Sequence, residues 1–181
     1  MTTPYTSTAK GFHWVMALLI FGMLALGFYM ADLPLSPQKL QLYSWHKWAG
    51  VTVFFLVWLR LLWRLTHRPP AHPPGMAKLH QGAAHAGHFA LYVLMIGIPV
   101  SGWLMSSAKG FQTVWFGVLP LPDLLGRDKV LGQQLADLHS ALNIGFVVLI
   151  GVHLAAAVLH HLLYKDDILR RMLPGRSPTN T

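Results

Sequence analysis

Apolar residues in this chain fall in four long blocks rather than alternating with polar ones. Gly11 to Ala31, Leu79 to Ala108 and Leu138 to Tyr164 hold no Asp, Glu, Lys or Arg. A bilayer-spanning helix needs about 20 mainly apolar residues, and each block reaches that length. A fourth block, His46 to Leu65, carries Lys47 at one end and Arg60 and Arg64 at the other, but its centre, Trp48 to Leu59, is uncharged. The pattern predicts an all-α, integral membrane four-helix bundle with helices at about 11–31, 46–65, 79–106 and 138–164. Proline and charge mark the connections. Asp32 to Tyr43 holds Pro34 and Pro37, and His67 to Lys78 holds Pro69, Pro70, Pro73 and Pro74, which a helix does not cross. The link 109–137 is the longest, and connections of that length usually carry function. Its Pro120 and Pro122 separate an aromatic part (Phe111, Trp115, Phe116) from a helix-compatible part, Lys129 to Leu138. No internal repeat stands out. The chain, 1–181, reads as one membrane domain ending in a tail, 165–181. The first block outruns the apolar region of a cleaved signal and lacks a small-x-small site after it, so it reads as a retained anchor.

Composition agrees. Of 181 residues, 54% are apolar and 11% charged, whereas a soluble domain carries about 25% charged residues. That excludes an ordinary soluble enzyme and a disordered tail. The net charge of +8 is scattered between long uncharged stretches, which does not make a nucleic-acid surface. In a membrane protein it reports orientation instead. One side would hold Lys10, Arg60, Arg64, Arg68, Lys78, Lys165, Arg170, Arg171 and Arg176; the other holds Lys39, Lys47, Lys109, Arg127 and Lys129. The richer side is expected to face the cytoplasm, with both termini and the Pro-rich link.

Cysteine is absent and histidine is abundant, at 11 residues. Disulfides, thiolate metal sites, iron–sulfur ligation and covalent haem attachment are thereby excluded. With both termini inside, His13 lies at the inner end of helix 1, His46 at the outer end of helix 2 and His139 at the outer end of helix 4. His153 follows His139 by 14 residues, about 21 Å deeper and nearly four turns on, so both share a face. The depths pair His46 with His139 near the outer surface and His13 with His153 in the inner half. Two neutral imidazoles from opposed backbones are what bis-histidine ligation of a haem iron requires. Phe146, seven residues from both His139 and His153, would face the gap between two haems. Gly27, on the His13 face at outer depth, would let a macrocycle edge approach the backbone. Arg60, on the His46 face at inner depth, suits a haem propionate. Each also has an ordinary alternative: an interhelical hydrogen bond or proton relay for a histidine, packing for Phe146 and Gly27, snorkelling for Arg60. Among the others, His67, His72 and His80 read as solvated. His85, His88, His160 and His161 form an inner-side cluster that would deliver protons to a bound quinone or simply make an interfacial collar.

The strings Phe12-His13-Trp14, Trp45-His46-Lys47, Leu138-His139-Ser140 and Val152-His153-Leu154-Ala155-Ala156-Ala157 with His160-His161 stand in an order that resembles the bacterial cytochrome b561 family. Arg60 with Arg64, the stretch Leu79 to His88 and the tail Arg170-Arg171-Met172-Leu173-Pro174 extend the likeness over nearly the whole chain. The resemblance implies a four-helix protein of the bacterial inner membrane with a periplasmic link 109–137. It also implies two b haems, ligated by His13 with His153 and by His46 with His139, and ubiquinone as electron acceptor. Related members are proposed to oxidise superoxide at the outer face and pass the electron to quinone.

Superoxide is a small anion, so a cationic outer surface would raise its encounter rate. Lys47, Lys109, Arg127 and Lys129 are available, diluted by Asp123, Asp128 and Asp137. Two rivals stand beside this expectation. One is a cytochrome b anchor subunit relaying electrons from a partner dehydrogenase or hydrogenase to quinone. The other is a non-redox, histidine-lined metal or proton transporter.

Overall fold

The computed structural model describes residues 4–175, so Arg176 of the expected cytoplasmic set lies outside the described residues. Four long helices dominate: α1 (Ser7–Ala31), α2 (Pro37–Thr66), α3 (Lys78–Ala108) and α4 (Lys129–Leu162). All four are long and apolar enough to cross a membrane. A two-stranded hairpin, β1 (Val114–Trp115) with β2 (Leu119–Pro120), interrupts the link between α3 and α4. A short α5 (Ile168–Met172) closes the described chain.

Two helices, α2 and α4, start well before their apolar blocks. At α2, Ser36 caps the helix by accepting from the Lys39 amide at 3.2 Å, and Pro37 takes the first turn. Proline suits that position, because its missing N–H has no partner to lose there. The Lys39 ammonium then donates to the carbonyls of Ala31 and Leu33 at the end of α1, tying the two helices at their junction. At α4, the Asp128 carboxylate accepts from the Val130 and Leu131 amides at 2.9 and 3.0 Å. The helix therefore begins at Lys129, and the expected link 109–137 shortens to 109–128. The end of α3 is a Schellman turn. Gly110 has φ of +76°, its amide reaches Ser107 O and the Phe111 amide reaches Ser106 O, each at 2.9 Å. Only glycine adopts that φ without cost.

The helices run up and down. The end of α1 meets the start of α2, as Gly27 against His46; the end of α3 meets the start of α4, as Ser101 against His139. The start of α3 meets the end of α4, as His88 against His153. One end thus carries the termini and the Pro-rich link, and the other carries 109–128. These are called the terminal end and the loop end. Backbone packing runs α1 on α2, α2 on α3 and α3 on α4, with at most marginal contact of α4 with α1 or α2. The buried centre is small: Met16, Val53, Val57, Met95, Ile98 and Phe146. A lipid-solvated bundle leaves its apolar exterior uncovered, so exposed Leu, Val and Phe on the outer faces are expected.

Candidate functional site

α4 carries His139 and His153 on one face, and both look across the weakly packed side of the bundle. At the terminal end, His13 of α1 faces His153, with ring centroids 6.3 Å apart. At the loop end, His46 of α2 faces His139 at 6.5 Å. Each pair joins two helices whose backbones scarcely touch, so the space between them belongs to the rings. Two imidazoles ligating one metal from opposite sides, with bonds of about 2.0 Å, place their centroids roughly 6.3 Å apart. Both separations fit a bis-imidazole metal centre. A direct hydrogen bond between the rings would need shorter spacing.

Glycine makes room for each ring of the loop-end pair. A Cβ on Gly27 would stand 3.3 Å from His46 Cε1, and one on Gly102 would stand 3.1 Å from His139 Cε1. Gly27 thus admits an imidazole to the α1 backbone. Gly102, which carried no signal in the sequence, does the same on α3. The two rings are held differently. His139 Nδ1 lies 2.9 Å from Ser101 Oγ and 3.1 Å from the Ile98 carbonyl. Nδ1 of His46 is buried with no hydrogen bond of normal geometry among the described residues, its nearest partner being the Met23 backbone.

A third imidazole stands at the terminal end. His88 of α3 packs edge-on against His153 with centroids 5.6 Å apart, closer than two ligands across one iron. Arg60 lies beside this group, its guanidinium 5.6 Å over the Tyr92 ring and near enough to act electrostatically on His13, His88 and His153. Arg64 lies 5.9 Å over the same ring. Among the described residues neither cation pairs with a carboxylate, which suits an anionic partner. Phe146 is 5% exposed and packs in the apolar centre, in one lining with His46 and Met95. It therefore lies between the two pairs as a packed core residue.

Below the terminal-end pair opens a cavity of about 400 Å³, framed by the Pro-rich link, the start of α3, the end of α4 and α5. His72, His80, His85, His88, His153 and His160 line it together with Arg64, Tyr164 and Arg171. His72 and His80, expected to be solvated, face this cavity. His72 Nε2 sits 3.2 Å from His85 Nε2, and His160 pairs with Asp166 at 2.5 Å. His67 does not join them: it stacks on Trp63 at 3.7 Å. Two ties hold the cavity's floor. Trp14 Nε1 donates to Met172 O at 2.8 Å, and Arg171 donates to the Ala71 carbonyl at 2.6 Å.

At the loop end, the 109–128 segment folds onto α2 and α3. Trp48 Nε1 donates to Val114 O at 2.6 Å, Trp115 Nε1 to Thr52 Oγ1 at 3.3 Å and Trp103 Nε1 to Pro122 O at 3.1 Å. Lys47, next to His46, donates to Ser106 Oγ and to the carbonyls of Phe111 and Gln112 at 3.1–3.2 Å. Its charge is fixed in place rather than swinging in solvent. Its neutral acceptors leave the charge in place, and Asp123 lies near enough to act on it electrostatically.

Comparison with known proteins agrees with this architecture. The family described as prokaryotic cytochrome b561 matches residues 4–175. The chain is 34% identical to "Cytochrome b561 homolog 2" of Escherichia coli (strain K12), covering 97% of this chain and 94% of that protein. It is 29% identical to "Probable superoxide oxidase CybB" of Yersinia pestis, over 97% and 99%. A third relative, "Cytochrome b561 homolog 1" of Escherichia coli (strain K12), is 30% identical over 72% of this chain. With four membrane-length helices and a match over almost its whole length, the chain belongs to the prokaryotic cytochrome b561 family, membrane proteins of electron transfer that bind b-type haem.

Proposed function

We propose that this protein is a di-haem b-type cytochrome of the bacterial inner membrane, a superoxide:quinone oxidoreductase that moves electrons across the bilayer to ubiquinone. The observation carrying this reading is the pair of imidazole pairs, 6.3 and 6.5 Å apart, at opposite ends of one bundle. His13 with His153 would hold one haem and His46 with His139 the other, and Arg60 would pair with a propionate of the first. Bound there, b-type haem would supply reversible one-electron chemistry. The terminal end, richer in Lys and Arg, faces the cytoplasm, and the loop end faces the periplasm.

The chain's own residues then divide the work. Lys47, Lys109, Arg127 and Lys129 draw the superoxide anion toward the loop end. Two superoxide anions each give up one electron and leave as dioxygen. One quinone takes both electrons and two cytoplasmic protons to become quinol, so charge and atoms balance. The terminal-end cavity suits the quinone head, since its volume falls within the range of small-molecule sites and its imidazoles can donate and accept hydrogen bonds. The likeness to a protein named as a probable superoxide oxidase supports this assignment.

One observation favours a second reading, an anchor subunit for a partner dehydrogenase. The loop-end hairpin exposes Phe116, Val118 and Leu119, an apolar tip that a partner would cover. The purified single chain separates the two. Given a superoxide source and a soluble ubiquinone analogue, it should form one quinol per two superoxides consumed. Quinone reduction that appears only after adding a dehydrogenase would favour the anchor instead.

A further inference from the structure

Two polar groups flank His139 Nδ1 in a way that settles which nitrogen carries its proton. Ser101 is 4% exposed, inside the last turns of α3. Its hydroxyl donates to the Ile98 carbonyl at 2.8 Å, as serines in apolar helices do. Having used its hydrogen, Ser101 Oγ is left as an acceptor toward His139 Nδ1 at 2.9 Å. The Ile98 carbonyl, 3.1 Å from the same nitrogen, can only accept. Both neighbours are therefore acceptors, and the network assigns the proton to Nδ1. Nε2 is left as the bare nitrogen. The absent side chain at Gly102 lets the Cε1 edge of the ring lie against α3. His46 is supported more weakly, because its Nδ1 makes no hydrogen bond of normal geometry and has only the Met23 backbone near it. The loop-end site is thus built with one ring fixed by two good hydrogen bonds and one held mainly by packing.

We propose that Ser101 is a positioning residue of the loop-end centre: through the Ile98 carbonyl and its own hydroxyl it fixes the tautomer and electron-donating strength of His139. This rests on the reading that His46 and His139 ligate a haem. Donating Nδ1–H to acceptors raises the basicity of the ligating nitrogen. A more basic ligand favours ferric over ferrous iron, so Ser101 holds the loop-end midpoint down. Hydrogen bonds within such a chain also strengthen one another, so losing the hydroxyl removes more than one contact.

The test compares Ser101→Thr with Ser101→Val in the purified full-length holoprotein. The two side chains have nearly the same shape and differ in the hydroxyl. Thr can keep the bond to the carbonyl one turn back. Redox titration should show two midpoints in the unchanged protein, the loop-end one identified by its loss in His46→Ala. Ser101→Val should raise that midpoint by about 59 mV, a tenfold change for a one-electron couple. It should also weaken haem retention at that end about 10–100-fold. Ser101→Thr should restore both, and the terminal-end midpoint should not move in either. If the added methyl prevents folding, Ser101→Ala fits the space and should give the Val result. A loop-end midpoint in the Val or Ala variant equal to that of the unchanged protein, with both haems bound, would overturn the proposal. An unchanged protein that binds no loop-end haem would instead overturn the reading beneath it.

Discussion

Gly102→Ala provides a sharp test of the loop-end geometry. The new Cβ would stand 3.1 Å from His139 Cε1, 3.4 Å from Nδ1 and 3.9 Å from Nε2. Normal contact requires the ring to retreat from α3 by a few tenths of an ångström. Overpacking of this kind costs about 1–3 kcal/mol, while alanine in place of helical glycine returns about 0.8–1.0 kcal/mol. The net effect on stability is small, about 0–2 kcal/mol. The local effect is larger, because Ser101 and Ile98 lie on the helix the ring must leave. Retreat lengthens contacts now at 2.9 and 3.1 Å, and hydrogen bonds weaken steeply beyond that range. Gly97→Ala is the control: it lies on the same helix, and its Cβ would meet nothing within 4 Å. The expected outcome is a raised loop-end midpoint and partial loss of one haem in Gly102→Ala, with near-normal thermal stability. Gly97→Ala should leave both haems intact. Identical spectra, haem content and midpoints for the two variants would refute the close packing of His139 on α3.

Other predictions are as direct. His13→Ala and His153→Ala should abolish the same haem, His46→Ala and His139→Ala the other, and His88→Ala should keep both; optical spectra with haem assay decide. Asp128→Ala removes the two capping bonds of α4 and should cost about 0.5–2 kcal/mol, seen as faster amide exchange at Val130 and Leu131 with the terminal-end haem undisturbed. Lys47→Met should loosen 109–128, since bonds from a charged donor contribute about 1.5–3 kcal/mol each. Limited proteolysis would detect it, and unchanged resistance would count against the tie. Superoxide consumption should slow as salt rises through the range where the screening length falls below about 10 Å; a salt-independent rate would remove the steering role of the loop-end cations.

Much of this molecule is readable before any coordinates. Four apolar blocks give four helices, because a bilayer leaves a backbone few other ways to satisfy its polar groups. The 14-residue interval between His139 and His153 places both on one face by helical geometry alone. What escaped notice had local or tertiary causes. α2 begins at Pro37 because Ser36 caps it, so helix continues past the apolar block into polar sequence; at α4 the helix-compatible stretch Lys129 to Leu138 joins the apolar block because Asp128 caps it. Proline at 37 looks like a breaker until its place in the first turn is known. Ser101 and Gly102 are unremarkable letters in an apolar run, and their meaning comes from a ring delivered by another helix. Likewise His72 sits in a Pro-rich link that reads as solvated, yet the fold brings it to His85. Short-range pattern carries spans and faces. It does not carry which small residue meets which ring.

The central claim is that four imidazoles in two pairs hold two haems in one chain. Haem counted per polypeptide, as the pyridine haemochrome of the purified protein, tests it most directly. Two b-type haems per chain, falling to one in either His13→Ala or His46→Ala, is the predicted result. One haem or none in the unchanged protein would contradict it.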